Sequence, residues 1–166
     1  MRSYIKILFL ACLVAGIFAF HTRPRLSNAF NYKGKIHAVQ HAYADKFEKP
    51  EGVSTGYDVY MGSTSSNADA YSLNYINFNI NSNSIKGITP GVYHFSSSSN
   101  QPFTFSKGKI FIDQTNAKEA FYVTAGAIKV SKWGERHIIE YQLKLNNGEN
   151  LNGIFKGKIE GIDRPS

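Results

Sequence analysis

Residues 137–161, HIIEYQLKL-NNG-ENLNGIFKGKIEG, decide the fold class of this 166-residue chain. Apolar side chains occupy alternate positions before Asn146, and a period of two is typical of a half-buried β-strand. Asn and Gly tolerate the positive φ of a tight hairpin turn, so 146–148 predicts the turn. Alternation then resumes with Gly153 and Gly157 on one face, which predicts bending or the close approach of a neighbouring group. The stretch therefore predicts a curved β-hairpin.

The same pattern recurs upstream in shorter segments. β-Branched and aromatic residues stand in runs bounded by Gly, Pro, Asn and Ser, as expected of strands. Segment 35–45, KIHAVQHAYAD, fits either a strand or one face of a helix. We favour a strand, because Gly34 precedes it without a helix-capping side chain. The other predicted strands cover 56–62, 71–80, 92–95, 103–112 and 121–131.

Together these segments predict an all-β domain of about eight strands. Short connections favour antiparallel pairing, and the strands would form a small barrel or a two-sheet sandwich. The apolar residues change phase at Gly108 and at Ala125-Gly126. Each change predicts a β-bulge, because one extra residue is needed to move side chains to the other face. Thr89-Pro90-Gly91 predicts a type II turn, whose third position requires positive φ.

The composition predicts one folded domain with its own core. Hydrophobic residues make up 42% of the chain and charged residues 19%, which excludes a disordered or collagen-like polymer. We place the domain at residues 32–163. Cys12 is the single cysteine, so a disulfide framework and a cysteine-based zinc site are excluded.

The N-terminus carries an export pattern. Residues 7–20, ILFLACLVAGIFAF, form an uninterrupted apolar run after two basic residues, as in a secretory signal peptide. The run is shorter than the roughly 20 residues that a membrane-spanning helix needs. We predict a signal helix at 1–20, a tether at 21–31 and a protein exported to the periplasm, the outer envelope or the medium. Two alternatives stay open, an uncleaved anchor at 7–20 and lipidation at Cys12.

The net charge of +7 does not indicate nucleic-acid binding. All 12 acidic residues lie at Asp45 or beyond, together with 13 of the 19 basic residues. The positive excess therefore belongs to the N-terminal segment, whereas a nucleic-acid surface needs basic residues clustered on a folded face. We expect no nucleic-acid partner, and membrane contact only through the N-terminal segment.

Four short motifs carry a resemblance to a known group of proteins. They are NYKGK at 31–35, ITPGVY at 88–93, GAIKV at 126–130 and LNGIFKG at 151–157. With these motifs the chain resembles small exported all-β proteins of Bacteroidetes, which are often lipoproteins, and in strand number it is loosely similar to lipocalins. The resemblance implies an exported β domain and supplies no catalytic residue.

Motifs for catalysis or metal binding are weak. Residues 52–56, GVSTG, match the nucleophile elbow around Ser54, but that turn needs a following helix and a strand pattern follows here. On one strand His37 and His41 would lie about 13 Å apart, too far for one metal ion. His94 and His137 adjoin apolar positions, where a packing or surface role is expected.

The glutamates near the C-terminal strands show no catalytic pattern. A glycosidase needs two carboxyl groups about 5–10 Å apart across a cleft, and sequence spacing does not establish this. The four residues are Glu135, Glu140, Glu149 and Glu160. We expect ordinary surface charge, no catalytic residue, no metal and no cofactor.

Aromatic residues suggest a binding role. Tyrosine combines an apolar ring with a hydroxyl and suits a groove for a sugar or an apolar ligand. Aromatic residues are also good strand formers that fill small barrels, and we favour packing over a groove as their main role. The candidates are Tyr57, Tyr60, Tyr71, Tyr75 and Tyr93. One hypothesis is a module that binds a small apolar ligand or a glycan, in a cavity of roughly several hundred Å³ or on an aromatic face. The other is an envelope interaction module with a filled interior and an exposed apolar patch or sheet edge. A catalytic function has the least support.

Overall fold

The computed structural model describes residues 28–47, 54–63, 74–98, 100–112 and 120–161, which form an all-β structure. The eleven strands are β1 Ala29–Tyr32, β2 Lys35–Ala38, β3 His41–Phe47, β4 Thr55–Gly62, β5 Asn74–Ser82, β6 Gly91–Phe95, β7 Thr104–Ile112, β8 Ala120–Trp133, β9 Arg136–Leu145, β10 Asn150–Gly157 and β11 Ile159–Glu160. In the described part of the chain, no helix is long and apolar enough to span a membrane. The predicted signal segment 1–20, Cys12 within it, and residues 21–27 of the predicted tether lie outside the described residues.

All eleven strands belong to one curled sheet with the shape of a half-barrel. The order across the sheet is β11-β3-β4-β5-β7-β6-β8-β9-β10-β1-β2, and β7 also pairs with β8. Among the described strands the parallel contacts are β6–β7 and β3–β11, each over two residue pairs. Lys158 alone separates β10 from β11, so the chain itself links two distant places in the sheet order. A single curled sheet corrects the sandwich alternative and agrees with a barrel-like fold.

The number of strands exceeds the predicted eight because the chain changes partners within extended segments. Segment 35–45 is extended, as favoured, but it divides into β2 and β3. At the division the Val39 N–H donates to the Asn28 carbonyl at 2.7 Å, and the Gln40 N–H donates to the Gly62 carbonyl at 2.8 Å. A period of two continues through such an exchange of partners, and the sequence pattern therefore does not reveal it.

The first strand lies partly inside the segment predicted to be a tether. β1 begins at Ala29, and both Ala29 and Phe30 are buried. The Phe30 ring stacks on His37 of β2 with 4.9 Å between ring centroids. Residues 29–31 are therefore part of the sheet, which corrects the predicted boundary at residue 32. The short run was missed because Asn28 and Asn31 at its ends are typical of loops.

The phase change predicted near Gly108 is a β-bulge in β7. Asn77 of β5 pairs with Lys109 and Asn79 pairs with Ser106, so β7 contributes one residue more than β5. Lys107, within this interval, has a φ of 53°. A residue in the left-handed region next to a glycine is one way in which a strand accommodates an extra residue.

The phase change predicted at Ala125-Gly126 is also confirmed. Val123 of β8 pairs with Leu145 of β9, and Ala125 pairs with Lys144, so the extra residue is Thr124. Gly126 follows with a φ of 132°. The bulge allows Val123 on one side and Ile128 on the other to point into the same core.

The type II turn predicted at Thr89-Pro90-Gly91 is wrong. Gly91 does not have positive φ; it begins β6 and pairs with Val130. Glycine is suited to this position for a different reason: a Cβ atom there would lie 2.6 Å from the Phe103 ring. The same explanation holds for Gly153, over which Tyr141 of the neighbouring strand lies. These glycines accommodate aromatic rings, an arrangement known to stabilise glycine in sheets.

The inside of the curl is filled by side chains. One continuous core joins buried residues from the described strands, and its largest aromatic members are Tyr57, Tyr93, Tyr141, Phe30, Phe78, Phe105 and Phe155. Burial of apolar area at about 25 cal/mol per Å² is the main stabilising contribution to such a fold. Within the described residues, binding surfaces are therefore to be sought on the outer face of the sheet and at the ends of the strands.

Candidate functional site

Four aromatic rings contact one another across the outer face of β3, β4, β5 and β7. Their order is Tyr43, Tyr60, Tyr75 and Phe111, with successive centroid separations of 6.5, 5.8 and 5.9 Å. We call this set the aromatic ladder. Its members point outward because the residues beside them in each strand face the core. These core residues are Ala42, Ala44, Val59, Met61, Ile76 and Ile110.

Two carboxylates lie beside the ladder on the same outer face. Asp45 of β3 and Asp58 of β4 are direct partners across the two strands. The Tyr43 hydroxyl donates a hydrogen bond to Asp45 at 2.5 Å, and Asn79 of β5 donates its amide N–H to Asp58. Like charges directly opposite each other destabilise a strand pair. The hydrogen bonds from Tyr43 and Asn79 offset part of this repulsion, and the pair concentrates negative charge on the outer face beside the ladder.

The surroundings favour the neutral form of two ladder tyrosines, Tyr60 and Tyr75. Desolvation by burial, followed by the charges of Asp58 and Asp45, raises the pKa of Tyr60. Desolvation and the neighbouring Tyr60 raise the pKa of Tyr75 well above its usual range. Neutral phenols present an apolar ring together with a hydroxyl that donates a hydrogen bond.

A concave site, separate from the ladder, lies at the end of the sheet where β5, β8 and β10 finish. It is a cleft of about 430 Å³ between the loop after β5, the β8–β9 turn and the β10–β11 junction. The lining residues are Ser84, Lys86, Gly87, Ile88, Thr89, Pro90, Lys132, Gly134, Glu135, His137, Lys158 and Ile159. We call it the end cleft, and its volume lies within the range of ligand pockets.

One wall of the end cleft is fixed by a buried serine. The Ser82 hydroxyl accepts the Thr89 N–H at 3.1 Å and donates to the Gly87 carbonyl at 2.9 Å. Two core tyrosines bind the same loop from inside: Tyr57 donates to the Ser84 carbonyl at 3.2 Å and Tyr93 to the Thr89 carbonyl at 2.6 Å. A loop held at several points keeps its shape before a ligand arrives.

The structure separates the candidate tyrosines into two groups. Tyr57 and Tyr93 are fully buried core residues that support the end cleft only through their hydroxyls. Tyr60 and Tyr75 are half-buried members of the aromatic ladder. Tyr71 lies outside the described residues.

Sequence reasoning missed the two ends of the ladder and the carboxylates beside it. Tyr43 lies in segment 35–45, whose pattern fits either a strand or one face of a helix. Phe111 follows the bulge in β7, so the sequence pattern aligns neither residue with Tyr60. One sequence pattern could have indicated this site: Asp58 and Tyr60 share one face of β4, as Tyr43 and Asp45 share one face of β3. The antiparallel register places these two pairs side by side.

The candidate nucleophile and histidines occupy structural positions. The Ser54 hydroxyl donates to the Asn100 carbonyl at 2.5 Å, and β4 begins directly after Ser54. His37 is buried, with its Nδ1 3.1 Å from the Asn74 side-chain oxygen. His94 is exposed on β6, and His137 is buried at the end cleft. Among the described residues, no three His, Cys, Asp or Glu side chains are grouped so that they could hold a metal ion.

Three of the four candidate glutamates form ion pairs with lysines. Glu149 pairs with Lys33 at 3.4 Å, Glu140 with Lys129 at 3.5 Å, and Glu135 with Lys158. The hydrogen bond and charge of Lys158 lower the pKa of Glu135. Glu160 is exposed on β11. These exposed pairs contribute little to stability, as expected of surface charge.

No protein-family model, curated protein or solved structure matches this chain, so the resemblance to exported Bacteroidetes proteins and to lipocalins gains no support from comparison.

Proposed function

We propose that this protein is a non-catalytic binding domain that holds a neutral glycan on its aromatic ladder. The observation that carries the proposal is the continuous contact of four half-buried aromatic rings beside Asp45 and Asp58. Sugar rings present C–H groups on their flat faces and hydroxyls at their edges. Aromatic faces with adjacent hydrogen-bonding groups complement both parts.

The spacing of the ladder supports an extended chain of sugars. Successive ring centroids of the ladder lie 6.5, 5.8 and 5.9 Å apart, a spacing of the same order as one sugar unit in an extended glycan. The ladder crosses four neighbouring strands, so it offers successive rings to successive units. The filled core favours this outer surface over a ligand inside the curl.

The charge beside the ladder supports a neutral glycan over an acidic one. Asp45 and Asp58 would accept hydrogen bonds from sugar hydroxyls, whereas they would repel the carboxylates of a uronic acid polymer. The proposed export signal at 7–20 fits this function, because structural glycans lie outside the cytoplasm.

The test is affinity electrophoresis of the full chain in gels with hydroxyethyl cellulose or xyloglucan, and with polygalacturonate as the acidic polymer. We expect the neutral polymers to retard the protein through the ladder. Polygalacturonate is a polyanion and attracts a chain of net charge +7, so any retardation by this polymer should not depend on Tyr60. Tyr60→Ala, at the centre of the ladder, is expected to weaken binding about tenfold. Trp133→Ala is the matched control, because Trp133 is a 66% exposed aromatic residue outside the ladder.

Two results would overturn the proposal. One is the absence of retardation by both neutral polymers. The other is equal binding by wild type and Tyr60→Ala, once matching urea midpoints show that the variant is folded. A second variant, Asp45→Asn with Asp58→Asn, is expected to increase retardation by polygalacturonate, since the repulsive charges are removed. Retardation of wild type by polygalacturonate that Tyr60→Ala abolishes would also contradict the proposal.

A further inference from the structure

The end cleft carries a charge that its own side chains do not neutralise. Lys86 comes from the loop after β5, Lys132 from the end of β8 and Lys158 from the β10–β11 junction. Lys158 forms an ion pair with Glu135, the only acidic residue among the described residues that line the cleft. Among the described residues, Lys86 and Lys132 form no ion pair, although the charge of Lys132 also acts on Glu135. The described lining therefore has three ammonium groups and one carboxylate, an excess of two positive charges.

The same cleft also offers apolar contact. Pro90 is exposed in the cleft and provides this contact, whereas Ile88 and Ile159, which also line it, are only 3% and 6% exposed. Two residues adjacent in sequence to lining residues, Ile85 and Trp133, are 70% and 66% exposed, which is unusual for large apolar side chains. Large apolar side chains exposed beside a concave site are typical of binding surfaces.

We infer that the end cleft binds a small amphipathic anion, a molecule with one carboxylate or phosphate head group and an apolar body. The head group would be held by Lys86 and Lys132, and the body would lie on Pro90 and on Ile85, which is exposed between the lining residues Ser84 and Lys86. Lysine acts as a point charge without the planar geometry of arginine, so it accepts either head group. The hydrogen bonds of Ser82 hold the loop that presents Lys86, and the shape of the cleft is therefore set before binding.

This site is independent of the aromatic ladder. The ladder lies on β3, β4, β5 and β7, with Tyr60 and Phe111 near the strand ends opposite the cleft. Gly87 and Gly134 line the end cleft, so their amide NMR signals report on binding there, while binding at the ladder is measured by retardation in polysaccharide gels.

The test is a titration of the full chain with octanoate and with octyl phosphate, followed by the amide NMR signals of Gly87 and Gly134. We expect both anions to give a saturable change at these positions, and octyltrimethylammonium to give none. The double variant Lys86→Gln, Lys132→Gln is expected to bind the anions about tenfold more weakly, and 0.5 M salt to weaken binding to wild type.

The control is Lys144→Gln, which removes an exposed lysine of β9 far from the cleft. It is expected to bind octanoate as wild type does. The inference is overturned if neither anion moves the Gly87 and Gly134 signals. It is also overturned if the double variant binds like wild type, or if the cationic amphiphile binds equally well. None of these outcomes bears on retardation by neutral polysaccharides, so the two proposals fail separately.

Discussion

Tyr141 and Tyr93 show how one hydroxyl decides whether a buried tyrosine stabilises the fold. Both rings are buried in the same core. The Tyr93 hydroxyl donates to the Thr89 carbonyl at 2.6 Å, whereas the buried Tyr141 hydroxyl has no hydrogen-bond partner. Burying a hydroxyl without a partner costs about 1–3 kcal/mol. The Tyr141 ring packs over Gly153, which explains why an aromatic residue is present there.

Replacing the two tyrosines by phenylalanine should therefore have opposite effects on stability. We expect Tyr141→Phe to raise the free energy of unfolding by about 1 kcal/mol, because it removes only the unpaired hydroxyl. Tyr93→Phe should lower it by about 1 kcal/mol, since the Thr89 carbonyl loses its donor. Urea unfolding of both variants measures the difference. A loss of stability in Tyr141→Phe would show that its hydroxyl has a partner.

Buried tyrosines also make stability depend on alkaline pH. Burial, and then the neighbouring Tyr57, raises the pKa of Tyr93 to about 12. Burial also raises the pKa of Tyr75 and Tyr141. A raised pKa means that the folded state prefers the neutral phenol, so this contribution is complete below about pH 10, the unfolded value. It is lost as pH rises from about 10 through 12.

We therefore expect the free energy of unfolding to fall steeply above pH 10. In Tyr93→Phe the fall between pH 10 and pH 12 should be shallower, because one of the titrating groups is gone. Urea unfolding at pH 8, 10 and 11 provides the measurement. Parallel curves for wild type and variant would contradict the assignment of this dependence to Tyr93.

At the scale of the element, the bulge in β8 decides which side chains reach the core. Thr124 is the inserted residue, and Gly126 beside it has a φ of 132°. A Cβ atom on Gly126 would lie 2.2 Å from the Gln142 carbonyl oxygen of β9. Neither the backbone conformation nor the space allows a side chain, so the position requires glycine.

Gly126→Ala should lower the free energy of unfolding by about 2 kcal/mol or more, because backbone strain and a clash act together. Gly148 provides the matched control, since it also has positive φ but nothing lies within 4 Å of its Cβ position. Gly148→Asn should change stability by less than about 1 kcal/mol, as Asn tolerates this conformation. Equal losses in the two variants would mean that the clash at β9 is unimportant.

Elements were predictable where a local pattern repeats. The alternation in β9, the turn at Asn146–Gly148 and both phase changes follow from residues within a few positions of one another. The type II turn predicted at Thr89-Pro90-Gly91 was wrong because a glycine can be present for two physical reasons, positive φ or room for an aromatic ring. The ring over Gly91 belongs to Phe103, which lies further along the chain, so no local pattern distinguishes the two reasons.

At the scale of the whole molecule, a two-residue strand links the C-terminal part of the chain to β3. Ile159 of β11 pairs with Ala42 in parallel, and its side chain is buried in the common core. β10 pairs with β1 and β11 pairs with β3, so one extended segment of the chain contacts both strands. Such staggering between strands is what curls a sheet towards a barrel.

Ile159→Ala should lower the free energy of unfolding by about 2–4 kcal/mol, through lost burial and the cavity left behind. Amides of β3 near Ala42 should also lose protection from hydrogen exchange. Ile154→Ala, at a half-buried position of β10, serves as the control, with an expected loss of about 1 kcal/mol or less. Unchanged protection of β3 in Ile159→Ala would show that β11 does not secure this side of the sheet.

The sequence by itself determined the all-β class, most strand positions and the two bulges, because a period of two and its interruptions are local properties of the chain. The tertiary structure decided which strands are neighbours. It alone placed Tyr43 beside Tyr60 and Asp45 opposite Asp58, and brought three lysines from distant segments to one cleft. Pairing between strands depends on how a curled sheet buries its shared core, and that burial involves residues from the whole chain at once.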